Sequence, residues 1–213
     1  MGRPPPMLYA GYQRFLRSRL PGSRDRFAGL RERQAPTVCL LGCVDSRCNP
    51  AMVFDAEPGD ILVVRNIANL VPSYREEGGC CCTSAALEFA VTKLGVQHLV
   101  VKGHSGCGGI QACIAAAAQA APTTEFVDRW TTLARPALDE VRTTMPDLAG
   151  AELADAVGRC SVIGSLARLM SYPFVAEAVH AGRLELHGAW FAIGEADLSW
   201  LDREAGRFRP VAA

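Results

Sequence analysis

Three short, continuously apolar runs constrain this chain more than any other feature. They are Thr37-Val-Cys-Leu-Leu-Gly-Cys43, Ile61-Leu-Val-Val64 and His98-Leu-Val-Val-Lys-Gly103. None of them alternates polar with apolar residues, so each reads as a strand covered on both faces, as in a parallel sheet. Helical text separates them. Residues 84–94 are amphipathic, 110–121 are rich in alanine, and two longer helical stretches follow at roughly 124–143 and 149–171. Residues 183–193 read as a late strand with a turn at Gly188. Strands alternating with helices predict an α/β fold, a mainly parallel central sheet of four to five strands flanked by helices.

Residues 8–30 place Tyr12, Phe15 and Leu16 at helical spacing, and Pro21-Gly22 breaks the pattern. Two short helices are expected there, an N-terminal helical arm of about 8–33 that either packs on the surface or wraps a partner subunit. No repeat or linker marks a second domain, so 1–213 is read as one domain. The 22 basic and 22 acidic residues cancel, which gives no reason to expect nucleic acid or an anionic membrane as partner. No uncharged apolar run approaches the ~20 residues of a membrane span. Residues 1–7 lack the apolar core of a signal peptide, and Pro6 stands where a myristoylation pattern needs Ser or Thr. A cytoplasmic protein is expected. In that setting the nine cysteines point to metal ligation, catalysis or burial rather than to disulfide staples.

In open parallel sheets, sites form beyond the carboxyl ends of the strands. Here the first strand delivers Cys43-Val-Asp45-Ser-Arg47, and the third delivers His104-Ser-Gly-Cys107-Gly108-Gly109. Two thiolates and one imidazole make a zinc ligand set, and three protein ligands leave a fourth tetrahedral position open, as catalytic sites do. A lone H-x-x-C is weak evidence; the matching thiol at a neighbouring strand end strengthens it. Asp45 and Arg47 lie two apart and share a face if the segment is extended. Arg47 then keeps Asp45 ionised. An ionised Asp45 has two chemical options. It can accept the hydrogen of a zinc-bound hydroxide, or it can bind zinc and close the site.

C-x-D-x-R followed by H-x-x-C, together with EPGDILVVRNIANLVP, SAALEFAV and VKGHSGCGGIQA, resembles the beta class of carbonic anhydrases from about Tyr12 to Ile193. The resemblance implies a parallel-core α/β fold, a homodimer or dimer of dimers, and one Zn2+ per chain. The activity implied is reversible hydration of carbon dioxide to bicarbonate and a proton, by attack of a zinc-bound hydroxide. By position it implies Cys43, His104 and Cys107 as zinc ligands and Asp45 and Arg47 as the catalytic pair. The plant-type subclass further implies Gln34, usually donated by the partner subunit, as a substrate contact. Leu62, Ile67 and Phe89 match its apolar pocket, with Phe89 where Tyr is common, and the amides near Gly108 are a second place for a substrate oxygen. The other subclass carries Trp, Arg and Tyr for a regulatory bicarbonate and favours zinc ligated by Asp. Arg65 is present here, but Leu40 and Phe191 replace the Trp and the Tyr. The open site is therefore expected.

Several residues receive bland readings. Arg65-Asn66 order the loop after their strand. Cys39, Cys113 and Cys160 are buried small hydrophobes, Cys48 is a spectator thiol, and Cys80-Cys81-Cys82 belong to a loop entering the helix at Ser84. His98, His180 and His187 are satisfied or surface histidines. Gly108-Gly109 lack the rest of a P-loop, so nucleotide binding is not expected. Two rival functions remain: a same-fold hydrolase of carbon disulfide or carbonyl sulfide, and a zinc or thiol sensor without catalysis.

Overall fold

The computed structural model describes residues 2, 4–74, 81–118 and 124–211. The chain forms two compact units, Met1–Ala35 and Pro36–Ala213. The first is helical: α1 (Pro6–Arg14), a π-helical turn (Phe15–Arg19) and α2 (Leu20–Gly29). Pro21 does not break this path. It lies in the first turn of α2, where its missing N–H costs nothing, and the irregularity falls on the π turn before it. Phe15 stacks on Tyr12 and meets Phe27 edge-on, each at 6.0 Å. None of these helical residues is buried, and Met7, Leu8, Tyr9 and Tyr12 are all more than half exposed.

The second unit is built on a six-stranded sheet of order β2-β1-β3-β4-β5-β6. Strands β1 (Val38–Cys43), β2 (Ile61–Asn66), β3 (His98–His104) and β4 (Glu185–Ala192) are parallel. The antiparallel pair β5 (Asp197–Asp202) and β6 (Arg207–Pro210) extends one edge, and a short helix, α3 (Pro50–Val53), lies between β1 and β2 in the chain. The parallel core matches the expected class. The added pair is partly exposed and lacks the apolar runs that marked the core. The turn expected at Gly188 is absent, and β4 runs straight through it. A Cβ at Gly188 would come within 3.0 Å of Leu201 and 3.2 Å of Val162, so this glycine serves close packing.

Cys39, Leu41, Leu99 and Val101 pack under the helices α4 (Cys82–Glu88), α8 (Gly150–Leu169) and α9 (Pro173–His180), meeting Leu87, Val162, Leu166 and Val175. A π-helical stretch (Phe89–Leu94) continues α4 and ends at Gly95, whose φ of 64° is left-handed. Helix α5 (Gly108–Ala117) ends before the expected limit, and 119–123 lie outside the described residues. The stretch expected as one helix at 124–143 divides into α6 (Phe126–Thr131) and α7 (Arg135–Thr144). A 3-10 turn joins them, and Pro136 opens the second. No single described helix is long and apolar enough to cross a membrane.

Candidate metal centre

Cys43 closes β1 and His104 closes the neighbouring β3; Cys107 follows one turn later, just before α5. Parallel pairing of β1 with β3 puts the two strand ends side by side. Gly106, with φ at 62°, turns the chain so that Cys107 faces back toward them. The three donor atoms lie within 4.8 Å of one another, and all three residues are buried. The thiols of Cys43 and Cys107 are 3.9 Å apart. His104 Nδ1 contacts the Ser105 carbonyl at 2.9 Å. That oxygen only accepts, so Nδ1 keeps its proton and Nε2 is the nitrogen left to bind a proton or a cation. His104 Nε2 is buried with no hydrogen-bond partner among the described residues. A buried ring nitrogen without a partner, beside two thiols, is the donor set a soft or borderline cation satisfies. The residues therefore fit a metal ion.

The backbone around the site is shaped for a thiolate. Ala68 N–H reaches Cys43 Sγ at 3.3 Å, and Ala68 holds a left-handed φ of 60° to make that contact. The Cys107 thiol as hydrogen-bond partner, aided by His104 and nearby amides, pulls Cys43 down from 9.0 to about 4. Cys107 moves up, because Cys43 beside it carries the charge and because it is buried. Burial opposes protonation of His104, but the neighbouring Cys43 and Cys48 sulfurs outweigh it and raise the ring to about 10. A cation at the centre replaces this shared proton as the partner of both sulfurs.

Asp45 and Arg47 meet, but not through an extended segment. Asp45 caps a 3-10 turn (Ser46–Cys48), and its Oδ1 accepts from Arg47 N–H and from Arg47 Nε–H, both at 3.0 Å. Arg47 Nη2 donates to Asp45 Oδ2 at 2.7 Å and to the Gly106 carbonyl at 3.2 Å. The Arg47 hydrogen bonds hold the Asp45 carboxyl well below the usual carboxylate range. Asp45 Oδ2 is 4.0 Å from His104 Nε2, so the ionised carboxylate borders the ligand set.

The apolar pocket residues are distributed. Ile67 packs with the cluster holding Cys43 and Cys107. Leu62 joins the larger core instead, and Phe89 is exposed; neither belongs to the ligand-side cluster. Gly108 is the first residue of α5. Gln34 is exposed in the N-terminal unit, between α2 and β1. Arg65 does more than order its loop. Its Nε donates to the Cys43 carbonyl at 2.8 Å and its Nη2 to the Asp45 carbonyl at 2.7 Å, bracing the first ligand. Asn66 orders the loop, exchanging hydrogen bonds with Leu70 at 2.8 and 2.9 Å. Cys48 stays a free thiol and contacts the Asp45 carbonyl. Cys39 and Cys113 are buried, whereas Cys160 is only half-buried beside Glu140. Of the cysteine triplet, Cys80 lies outside the described residues, Cys81 is half-buried and Cys82 is exposed.

Three supporting residues escaped the sequence reading. Asp155 accepts the Gly106 N–H at 3.0 Å, and Trp130 Nε1 donates to the Ile67 carbonyl at 2.8 Å. Lys102 is fully buried, donates to the Cys48 carbonyl at 3.1 Å and lies 5.4 Å from the Phe191 ring. Burial pushes its ammonium pKa down. A lone lysine inside an apolar strand, two residues before a ligand, is the one signal that was available.

The comparisons with known proteins agree on the class. The carbonic anhydrase family model matches residues 38–198. A chloroplastic beta carbonic anhydrase of Arabidopsis thaliana is 37% identical over 78% of this chain and 54% of its own length, so the chain spans about half of that relative. A carbonic anhydrase of Pseudomonas aeruginosa is 36% identical over 95% of this chain and 90% of its own. Among solved structures, the beta-carbonic anhydrase CcaA superposes with a TM-score of 0.90 at 27% identity, covering 97% of this chain and 92% of that one. A tetrameric beta-carbonic anhydrase of Sordaria macrospora gives 0.73 at 28% identity over the same shares, 97% and 92%. The chain belongs to the carbonic anhydrase family, in its beta class.

Proposed function

We propose that this protein catalyses zinc-dependent, reversible hydration of carbon dioxide to bicarbonate and a proton. The observation that carries the proposal is the buried Cys43–His104–Cys107 group with an ionised carboxylate, Asp45, at its edge. Two thiols and an imidazole favour zinc over harder ions, with one ion per chain. Bound there, zinc would act as a Lewis acid that lowers the pKa of its water toward ~7 in favourable sites.

The chain's own residues then divide the work. Asp45, ionised and next to the ligands, accepts a hydrogen bond from a reacting oxygen and orients it. Arg47 occupies both carboxylate oxygens, which keeps Asp45 off the metal and supports the open site. Ile67 lines the apolar side of the ligand cluster. Gln34 from a second copy and the amides near Gly108 hold a substrate oxygen. The arm's exposed apolar residues and the tetrameric relative support a homodimer or dimer of dimers. The eight free thiols among the described residues suit a reducing cytoplasm.

Stopped-flow hydration by zinc-quantified protein, between about pH 6.5 and 9, tests this reading. Activity already present near neutral pH supports the open site, and onset only above about 8 means that Asp45 closes it. Two thiolate ligands weaken the Lewis acidity of zinc, so the rate is expected to climb toward alkaline pH. One zinc per chain without hydration overturns the proposal; sulfide release from carbonyl sulfide or carbon disulfide would then identify the rival substrate, and its absence would leave the sensor.

A further inference from the structure

A second group of metal-capable side chains lies at the opposite end of the sheet. His98 begins β3, and its register partner on β4 is Glu185. Glu185 and His187 are two apart on β4, so their side chains share a face, and that face also carries His98. The donor atoms form a tight triangle. His98 Nδ1 is 3.2 Å from His187 Nε2, and Glu185 Oε2 is 3.6 Å from each nitrogen.

Hydrogen bonding explains only one side of that triangle. Two imidazole nitrogens at 3.2 Å can share a proton, but 3.6 Å is too long for a hydrogen bond from either ring to the carboxylate. A tetrahedral ion with bonds of ~2.0–2.1 Å spaces its donors about 3.3–3.4 Å apart, and all three distances fall close to that value. Two nitrogens and one carboxylate oxygen are the donors that zinc, nickel and copper ions accept. Burial, and then the neighbouring His98, push the His187 pKa below its usual value. All three residues are carried by paired strands rather than by a loop, so the spacing is held by the backbone ladder.

We propose that His98, Glu185 and His187 form a second, exchangeable site for a borderline divalent cation, separate from the Cys43–His104–Cys107 centre. The site offers three protein ligands and an open fourth position. It adjoins the apolar groove lined by Val38, Leu40, Phe54, Ile61, Val100 and Trp200. Trp200 meets the His187 ring edge-on at 6.0 Å, so its fluorescence reports on the site.

The test uses the zinc-loaded, assembled protein. Nickel chloride is titrated by calorimetry while tryptophan emission is followed, and zinc per chain is counted before and after so that displacement of zinc is distinguished from added nickel. Wild type is expected to take one further nickel per chain and to lose tryptophan emission in step. His187→Gln should bind that nickel at least tenfold more weakly and hydrate carbon dioxide at the wild-type rate. Glu185→Gln, at a largely exposed side chain, keeps the test valid if His187→Gln does not fold. The proposal is overturned if wild type takes up no further nickel, or if uptake is unchanged in both variants. Because the reading is a difference between wild type and variant, it stands apart from whether the cysteine-containing centre catalyses hydration.

Discussion

The two ends of the parallel sheet carry the same number of metal-capable donors and treat them in opposite ways. At the carboxyl end, Cys43, His104 and Cys107 are buried, and His104 Nε2 has no hydrogen-bond partner among the described residues. At the amino end, Glu185 is exposed, His98 and His187 are half-buried, and the two rings contact each other. Burial makes the first group costly without a cation and hard for water to reach; exposure makes the second inexpensive to leave empty. The first also has a frame, since Arg65, Asp155 and the Ala68 N–H each fix a ligand or its loop. The second is held by the pairing of its strands. The comparison teaches that donor geometry selects an ion, while burial and the surrounding hydrogen bonds decide whether it stays.

The largest expected break in this contrast comes from His104→Ala. Zinc content by mass spectrometry should fall to background, and hydration with it, while nickel uptake at His98 and His187 persists. Next comes Asp45→Asn. The three ligands are untouched, so one zinc per chain should remain, and hydration should fall about 10–100-fold, the range seen when a group orienting a metal's surroundings is lost. Loss of zinc in Asp45→Asn would instead make Asp45 a ligand.

The parallel core was legible because strands covered on both faces spell continuous apolar runs, and the ligands were legible because three soft donors fall at adjacent ends of such strands. What escaped depended on contacts distant in sequence. β5 and β6 are short, partly exposed strands and leave no run to read. The Asp45–Arg47 pair was foreseen, but its 3-10 cap was not, since nothing at two-residue spacing distinguishes a turn from a strand. Asp155 resembles any acid on a helix until Gly106 is seen against it. His98 and His187 read as ordinary histidines because only strand register places them together. Gly188 reads as a turn until Leu201 and Val162 are seen beside it.

Two glycines sharpen the comparison further. A Cβ at Gly103, next to His104, would meet Val162 at 2.8 Å and Trp190 at 2.9 Å. The nearest atom at Gly188, on β4 just past His187, is Leu201 Cβ at 3.0 Å. Gly103→Ala should cost about 1–3 kcal/mol in urea unfolding as an overpacked core does, and Gly188→Ala less. Equal costs would mean that α8 presses no harder on the carboxyl end of the sheet than on the middle of β4.

The narrowest effect, confined to alkaline pH, isolates what makes Cys43 a ligand. Cys39 lies four residues earlier on β1, buried as deeply, yet burial alone pushes its thiol up to about 12. Cys43 moves the other way because Cys107, His104 and the Ala68 amide surround its sulfur with donors. One strand therefore holds an inert thiol and a thiolate, separated by hydrogen bonding rather than by depth. The folded state favours the neutral Cys39 thiol, so its contribution is complete below the ordinary value of 9.0 and is lost as pH rises toward 12. The loss is about 1.4 kcal/mol per pH unit in that window. Cys39→Ala lowers stability at every pH by removing packed atoms, but it should flatten the decline above pH ~9 relative to wild type. Parallel declines would show that Cys39 ionises as readily in the folded sheet as in the unfolded chain, and the contrast with Cys43 would fail.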